Sequence, residues 1–176
     1  MTMTVSQFRD EMADREAIRD CLYRYARGID RIDEGMLRSA YWPDATDDHL
    51  AFSGTIDEFI DWAFPKLRAM DQNLHIIANI LIRLDGYTAA VESYLYGIQR
   101  LEVDGVMRDI IAAGRYLDRF ERRGDEWRIA RRLVMTDWFR EHPDSCDWTV
   151  GPFGMAGIPC GSKKPDDESY TWLGLI

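Results

Sequence analysis

Apolar residues recur at three- and four-residue spacing from Ala17 to Ile29, through Ile18, Cys21, Leu22, Tyr25 and Ala26. That spacing predicts an amphipathic helix. Asp14 can cap it and Glu16 suits its first turn, while Arg15, Arg19, Asp20 and Arg27 fall largely on the wet side. Residues 1–13 read as an arm with weak helical character, and Gly28 loosens the far end just before Asp30. A short second helix is expected from Asp33 to about Tyr41, ended by Pro43. Residues 44–54 read as a loop running into a short strand. Thr55 or Asp57 caps a third helix whose apolar side is Ile56, Phe59, Ile60, Ala63 and Phe64. Pro65 either kinks that helix or starts a further turn reaching Met70.

From Leu74 the period changes to two. Leu74, Ile76, Ala78, Ile80, Ile82 and Leu84 read as one face of a strand, with His75, Ile77, Asn79, Leu81 and Arg83 on the other. Turns at Asp85-Gly86, Asp104-Gly105 and Arg123-Gly124-Asp125 then separate strands at Thr88–Val103, Val106–Arg122 and Glu126–Phe139. In the last of these, Trp127, Ile129, Arg131, Leu133 and Met135 alternate with Arg128, Ala130, Arg132, Val134, Thr136 and Trp138. Helices followed by an antiparallel meander predict an α+β fold with N-terminal helices packed on one face of a curved, mostly antiparallel sheet. The last strand is apolar on both faces, so the outer face also needs cover, and a partner subunit is the simplest cover.

After Phe139 the chain mixes Pro143, Pro152, Pro159 and Pro165 with Gly151, Gly154, Gly157 and Gly161, yet keeps Trp148, Phe153, Met155 and Ile158. This divides the chain into a domain at residues 1–139 and an ordered C-terminal arm at 140–176, packed on the domain or on a neighbouring subunit, with Ser162–Ser169 its loosest part. The formal net charge of −9 argues against nucleic-acid binding, which needs clustered Lys and Arg. No apolar run reaches the ~20 residues of a membrane span, and the N-terminus lacks a basic region followed by an apolar stretch. Cys21, Cys146 and Cys160 are too few and scattered for a disulfide framework, and Cys21 reads as a buried thiol. A cytoplasmic protein is the expectation.

The candidate chemistry is spread along the chain. Asp30 ends an apolar helix face, and either caps the next helix or aims into a pocket. Tyr25 is a core tyrosine with a satisfied hydroxyl, or a group that polarises a carbonyl or protonates a leaving hydroxyl. His75 is a hydrogen-bonded core residue or a base. Arg132 is a strand-edge ion pair, or a guanidinium awaiting a substrate anion inside the curved sheet. Asp44, Asp47, Asp48 and His49 read as a solvated acidic loop, because local oxygen ligands without spaced His or Cys partners are a weak metal signal. His142 sits in a similar polar context, and no metal or cofactor is expected.

Three segments carry a resemblance: Glu16 to Asp30 leading to Tyr41-Trp-Pro-Asp-Ala45, Leu74-His-Ile-Ile-Ala-Asn79, and Tyr116 to Arg132. Together they resemble the nuclear transport factor 2-like superfamily in its SnoaL-like branch, and within it cofactor-free lyases such as scytalone dehydratase, bile acid 7-alpha-dehydratase and hexachlorocyclohexane dehydrochlorinase. The resemblance implies a dyad of Asp30 and His75, with Tyr25 at the dehydratase's tyrosine position, where the dehydrochlorinase has lysine, and with Arg132 on the final strand. It implies that the fold is a cone-shaped α+β barrel, with a cavity lined by Thr136 and Trp138, and by Tyr94 and Tyr96 if their strand face points inward. The implied activity is a dehydratase-type elimination on a hydrophobic cyclic or aromatic small molecule. An isomerase, a formaldehyde-releasing carbon–carbon lyase on a diaryl compound, and a non-enzymatic binding or assembly module are the alternatives on the same fold. It further implies a homotrimer, with a homodimer as the alternative.

Overall fold

The computed structural model describes residues 4–49, 51–144 and 160–175. In chain order the elements are α1 (Val5–Asp30), α2 (Glu34–Ser39), β1 (Tyr41–His49), β2 (Phe52–Thr55), α3 (Ile56–Ala69), β3 (Gln72–Asp85), β4 (Thr88–Val103), β5 (Val106–Arg123), β6 (Glu126–Pro143) and α4 (Ser169–Trp172). The strands form one mixed, curled and unclosed sheet in the order β2-β1-β6-β5-β4-β3. Only the β1–β6 pairing is parallel. The fold is α+β, with helices before a four-strand meander, as the periodicity indicates.

Helix α1 begins well before Asp14. Thr4 accepts from the Gln7 backbone N–H while the Gln7 side chain accepts from the Thr4 N–H, a reciprocal cap that satisfies two orphan donors. The Glu11–Arg15 pair supports the first turns, and Arg15 also donates to the Ile82 carbonyl. The expected weak arm is therefore helix from Val5. Its inward stripe (Ile18, Cys21, Leu22, Tyr25, Ile29) is buried against the sheet. Such side chains contribute about 1.5–3 kcal/mol each when fully buried. Gly28 does not loosen the helix end but packs it: a Cβ there would lie 2.7 Å from Leu37 N, so glycine lets α1 and α2 touch.

Helix α2 is shorter than expected, and Tyr41–His49 is strand rather than loop. The Ile129 N–H donates to the Ala40 carbonyl, which starts the β1–β6 pairing immediately after the helix. Pro43 is tolerated because the register shifts between Tyr41 and Thr46, so no ladder donor is needed there. Thr55 and Glu58 form a second reciprocal cap on α3, which continues through Pro65 to Ala69.

Three irregularities in the sheet decide which side chains face inward. In β3 the register slips between Ala78 and Leu81, with Asn79 in the left-handed region at φ 46°. Leu74 and Ile76 therefore point outward, and the inner face runs Asn73, His75 and Ile77, then Ile82. This corrects the single unbroken alternation read from the sequence. In β6 a slip opposite Arg119/Phe120 puts Ile129 on the same face as Arg132. A second slip opposite Ala113/Gly114 inserts Asp137 and turns Trp138 to the outer face. Gly114 is needed at that point, because a Cβ would lie 2.1 Å from the Met135 carbonyl oxygen.

The segment 160–175 is anchored rather than loose at Ser162–Ser169. The Lys164 N–H donates to the Arg31 carbonyl, and Arg31 donates to the Ser162 carbonyl at 3.1 Å. Buried Asp33 receives the Met36 N–H, the Lys164 ammonium and the Tyr170 hydroxyl. Lys163 donates to the carbonyls of Arg68 and Met70. The expected packing of Trp148, Phe153, Met155 and Ile158, and Cys146, lies outside the described residues. Among the described residues no helix is long and apolar enough to cross a membrane.

Candidate active site

Asp30 is the last residue of α1, and the packing of α1 on β3 carries its carboxylate to the sheet edge. One oxygen accepts the His75 backbone N–H at 3.0 Å, and the other lies 2.6 Å from the ring Nδ1. Both side chains are more than nine-tenths buried. A carboxylate only accepts, so beside it Nδ1 is the nitrogen that carries the proton, and in the neutral ring Nε2 keeps the lone pair. The double attachment also fixes the ring relative to its own backbone. On β4, Gly97 lies beside the ring: a Cβ there would sit 3.8 Å from Nε2, in ordinary contact, so the position does not require glycine. Asp33, not Asp30, caps α2.

His75 lines a cavity of about 180 Å³ between the helices and the sheet. Its walls come from α1 (Tyr25, Ile29), from α3 (Phe59, Trp62, Ala63, Lys66, Leu67), and from Met70, His49 and Gln99. The helical spacing of Phe59, Ala63 and Leu67 puts one apolar stripe of α3 over the site. Lys66 stands at the rim, exposed, with its ammonium 4.1 Å from the Trp62 ring.

Tyr25 also lines this cavity. Its ring meets Tyr116 edge-on at 5.4 Å and Tyr41 at 5.9 Å, and its hydroxyl lies 3.5 Å from that of Tyr116. Burial pushes the Tyr25 phenol up to about 12, partly offset by Arg132, so it is a neutral donor at ordinary pH. Tyr41 and Tyr116 are raised well above the usual phenol value, also by burial.

Arg132 is fully buried and does not line the cavity. It is paired in a two-pronged bond with Asp118 of β5, at 2.7 Å for each contact. Its guanidinium carbon lies 3.9 Å from the ring centres of both Tyr25 and Tyr116. The anion that the cone needs is thus supplied by the chain itself, and Arg132 sits behind Tyr25. Burial alone would lower the guanidinium, but Asp118 and the tyrosines hold it well above its usual value. Burial pushes the Asp118 carboxyl up, and Arg132 opposes that.

The structure places the other expected lining residues elsewhere. Tyr94 and Tyr96 lie on the outer face of β4, because the inward positions there are Val91, Ser93, Leu95 and Gly97. Trp138 is outward by the Asp137 bulge and meets Tyr96 edge-on at 6.1 Å. Thr136 keeps the inner face of Arg132 and Val134 but is exposed, outside the cavity wall.

His49 is one of the cavity residues not legible in the sequence, as are Trp62, Lys66 and Gln99. Read as strand, Ala45, Asp47 and His49 alternate inward, whereas Asp44 and Asp48 turn out to Arg123 and Arg131. The supposed acidic loop is therefore split between two environments. Cys21 is buried as expected; its thiol donates to the Ala40 carbonyl, and burial pushes it up to about 11.

No curated protein matches the sequence significantly. Solved structures resemble the fold. A hexachlorocyclohexane dehydrochlorinase (LinA) type 2 is 24% identical, with a TM-score of 0.69 over 85% of this chain and 98% of that one. LinA type 3 from Novosphingobium barchaimii is 22% identical, with a TM-score of 0.68 over 81% of this chain and 98% of its own. A candidate scytalone dehydratase from Novosphingobium aromaticivorans is 20% identical, with a TM-score of 0.66 over 74% and 88%. Residues 10–133 match the SnoaL-like domain, most of the chain, and the protein belongs to that family.

Proposed function

We propose that this protein is a cofactor-independent lyase that eliminates water, or a comparable leaving group, from a small hydrophobic ring compound. The observation that carries the reading is the Asp30 carboxylate holding both the backbone N–H and Nδ1 of His75 at the wall of an apolar cavity. His75 Nε2 takes a proton from a carbon next to an electron-withdrawing group. Asp30 keeps the ring in the productive tautomer and stabilises the imidazolium that forms. Tyr25 offers a neutral O–H to the activating carbonyl or the departing oxygen. Arg132 acts through Tyr25, holding its ring, and is a positioning residue. The similar solved structures include proteins named as a dehydrochlorinase and as a candidate scytalone dehydratase, which agrees with an elimination.

Cavity size narrows the substrate class. A cavity of about 150 Å³ holds benzene, so about 180 Å³ accommodates one substituted ring. The cavity is open on one side, so a larger skeleton would extend through its mouth. The test is turnover of single-ring β-hydroxy or β-halo carbonyl compounds by His75→Ala and Asp30→Asn variants. Both are expected to lose about 10²–10⁴-fold in kcat. Wild-type rates in both would sink the dyad. The outer sheet face supports a homo-oligomer, a trimer by the family resemblance with a dimer as the alternative: Ile76, Tyr96, Ala113 and Trp138 form one lateral row, and Leu74, Tyr94, Leu133 and Met135 are exposed beside it.

A further inference from the structure

We infer that His49, backed by Asp47, is a second proton-transfer group on the cavity and serves as the acid that protonates the departing hydroxyl. The inference rests on the lyase reading and adds the step that reading leaves without a charged donor. Two histidines line one cavity of about 180 Å³. His75 is on β3 at one edge of the sheet, and His49 is on β1, with β6, β5 and β4 between them. Only the curl of the sheet brings strands so far apart to one chamber, so the two rings enter it from separate walls.

The environment of His49 is built. Its ring packs on Phe59 at 5.2 Å and approaches Trp62 and Tyr116, each at 6.4 Å. Behind it, Asp47 is fully buried. One Asp47 oxygen accepts the Tyr41 hydroxyl at 2.6 Å. The other, Oδ1, has no hydrogen-bond partner among the described residues, and the same holds for His49 Nδ1. These two orphans lie 3.3 Å apart. A buried acceptor without a donor costs about 1–3 kcal/mol, and more when it is charged. A proton on Nδ1, with a small ring rotation, satisfies both atoms at once. That arrangement directs Nδ1–H to Asp47 and turns Nε2 toward the cavity. It also balances charge, because the neighbouring buried ionic groups are two carboxylates, Asp47 and Asp118, and one guanidinium, Arg132. An imidazolium at His49 neutralises the set.

The step then balances. His75 Nε2 takes the proton from the substrate carbon, and the C–H electron pair becomes the new double bond. The C–O bond breaks with its electrons on oxygen. That oxygen takes the proton from His49 Nε2 and leaves as water. His75 ends as imidazolium and His49 as neutral imidazole, and one proton passed through solvent from the first to the second resets the site.

The experiment uses two one-ring probes. Exchange of the α-hydrogens of cyclohexanone in D₂O, followed by NMR, needs only the base. Dehydration of 3-hydroxycyclohexanone to cyclohexenone, followed by absorbance, needs base and acid. His49→Gln and Asp47→Asn are expected to slow dehydration at least ~10²-fold more than exchange for His49, and ~10-fold more for Asp47. His75→Gln is expected to lose both reactions. In parallel, long-range ¹⁵N–¹H spectra of histidine-labelled protein at pH 8 are expected to place the His49 proton on Nδ1, and Asp47→Asn to release that preference while leaving His75 unchanged. Equal slowing of both reactions in His49→Gln, dehydration at the wild-type rate, or a His49 ring with no proton on Nδ1 would each overturn the assignment. A wild-type protein that exchanges cyclohexanone but does not dehydrate the alcohol overturns the acid while sparing the base. One that does neither removes the lyase reading and the acid with it.

Discussion

The Arg132–Asp118 pair offers the sharpest separation between a residue that meets substrate and one that holds the site. Both side chains are fully excluded from solvent. Arg132→Met keeps most of the volume but leaves the Asp118 carboxylate unpaired, at a cost of about 3–5 kcal/mol. It also removes a guanidinium lying over two tyrosine rings, each contact worth about 0.5–2 kcal/mol. These losses overlap, so a net loss of about 5 kcal/mol is expected, a large part of the 5–15 kcal/mol that holds a typical domain together. The double change Arg132→Met with Asp118→Leu removes both charges and is expected to recover most of it. The assay is urea unfolding followed by tryptophan fluorescence at pH 7.5 and pH 5.

The pH arm has a definite sign. Burial pushes the Asp118 carboxyl up, and removing Arg132 takes away the opposing influence. A carboxyl whose folded pKa is raised favours the folded state below its unfolded value of ~3.9 and loses that advantage as pH rises through the folded pKa. The deficit of Arg132→Met is therefore expected to be smaller at pH 5 than at pH 7.5. A single variant within about 1 kcal/mol of wild type, or a double variant as unstable as the single, would refute the structural role and return Arg132 to the substrate.

Two further expectations concern the arm and the outer face. Hydrogen bonds from Met36 N–H, Lys164 and Tyr170 outweigh burial and hold Asp33 below its usual value, so its contribution is complete above ~pH 4 and is lost as pH falls through the lower folded value. The stability gap between wild type and Asp33→Asn should thus be full at pH 6 and shrink below pH 4, and a gap that does not close in acid would contradict this. Light scattering is expected to report a trimer for the wild type and a smaller species for Trp138→Glu, and a monomeric wild type would refute the interface.

Much of this protein is legible in its sequence. The 3.6-residue spacing from Ala17 to Ile29 marks α1, and the Asp-Gly and Gly-Asp turns delimit the long strands to within a few residues. Asp30 and His75 could be singled out as candidates from the helix end and the strand they occupy. What the sequence could not supply is which way several side chains face. Alternation has a period of two, so one inserted residue reverses every position after it, and nothing local marks the insertions near Asn79, Ala130 and Asp137. That is why Trp138 looked inward with Thr136 and is not; Tyr94 and Tyr96 lie on β4, whose alternation is unbroken, and only the packing of the helices decides which of its faces is the inner one. The partner of a buried charge is likewise a long-range fact: Asp118 meets Arg132 only because β5 and β6 pair in this register. His49 was hidden for the same reason, since Asp44 to His49 becomes an alternating strand only when β6 lies parallel beside it. Local chemistry determined the elements; the register and curl of the sheet decided which residues share the cavity.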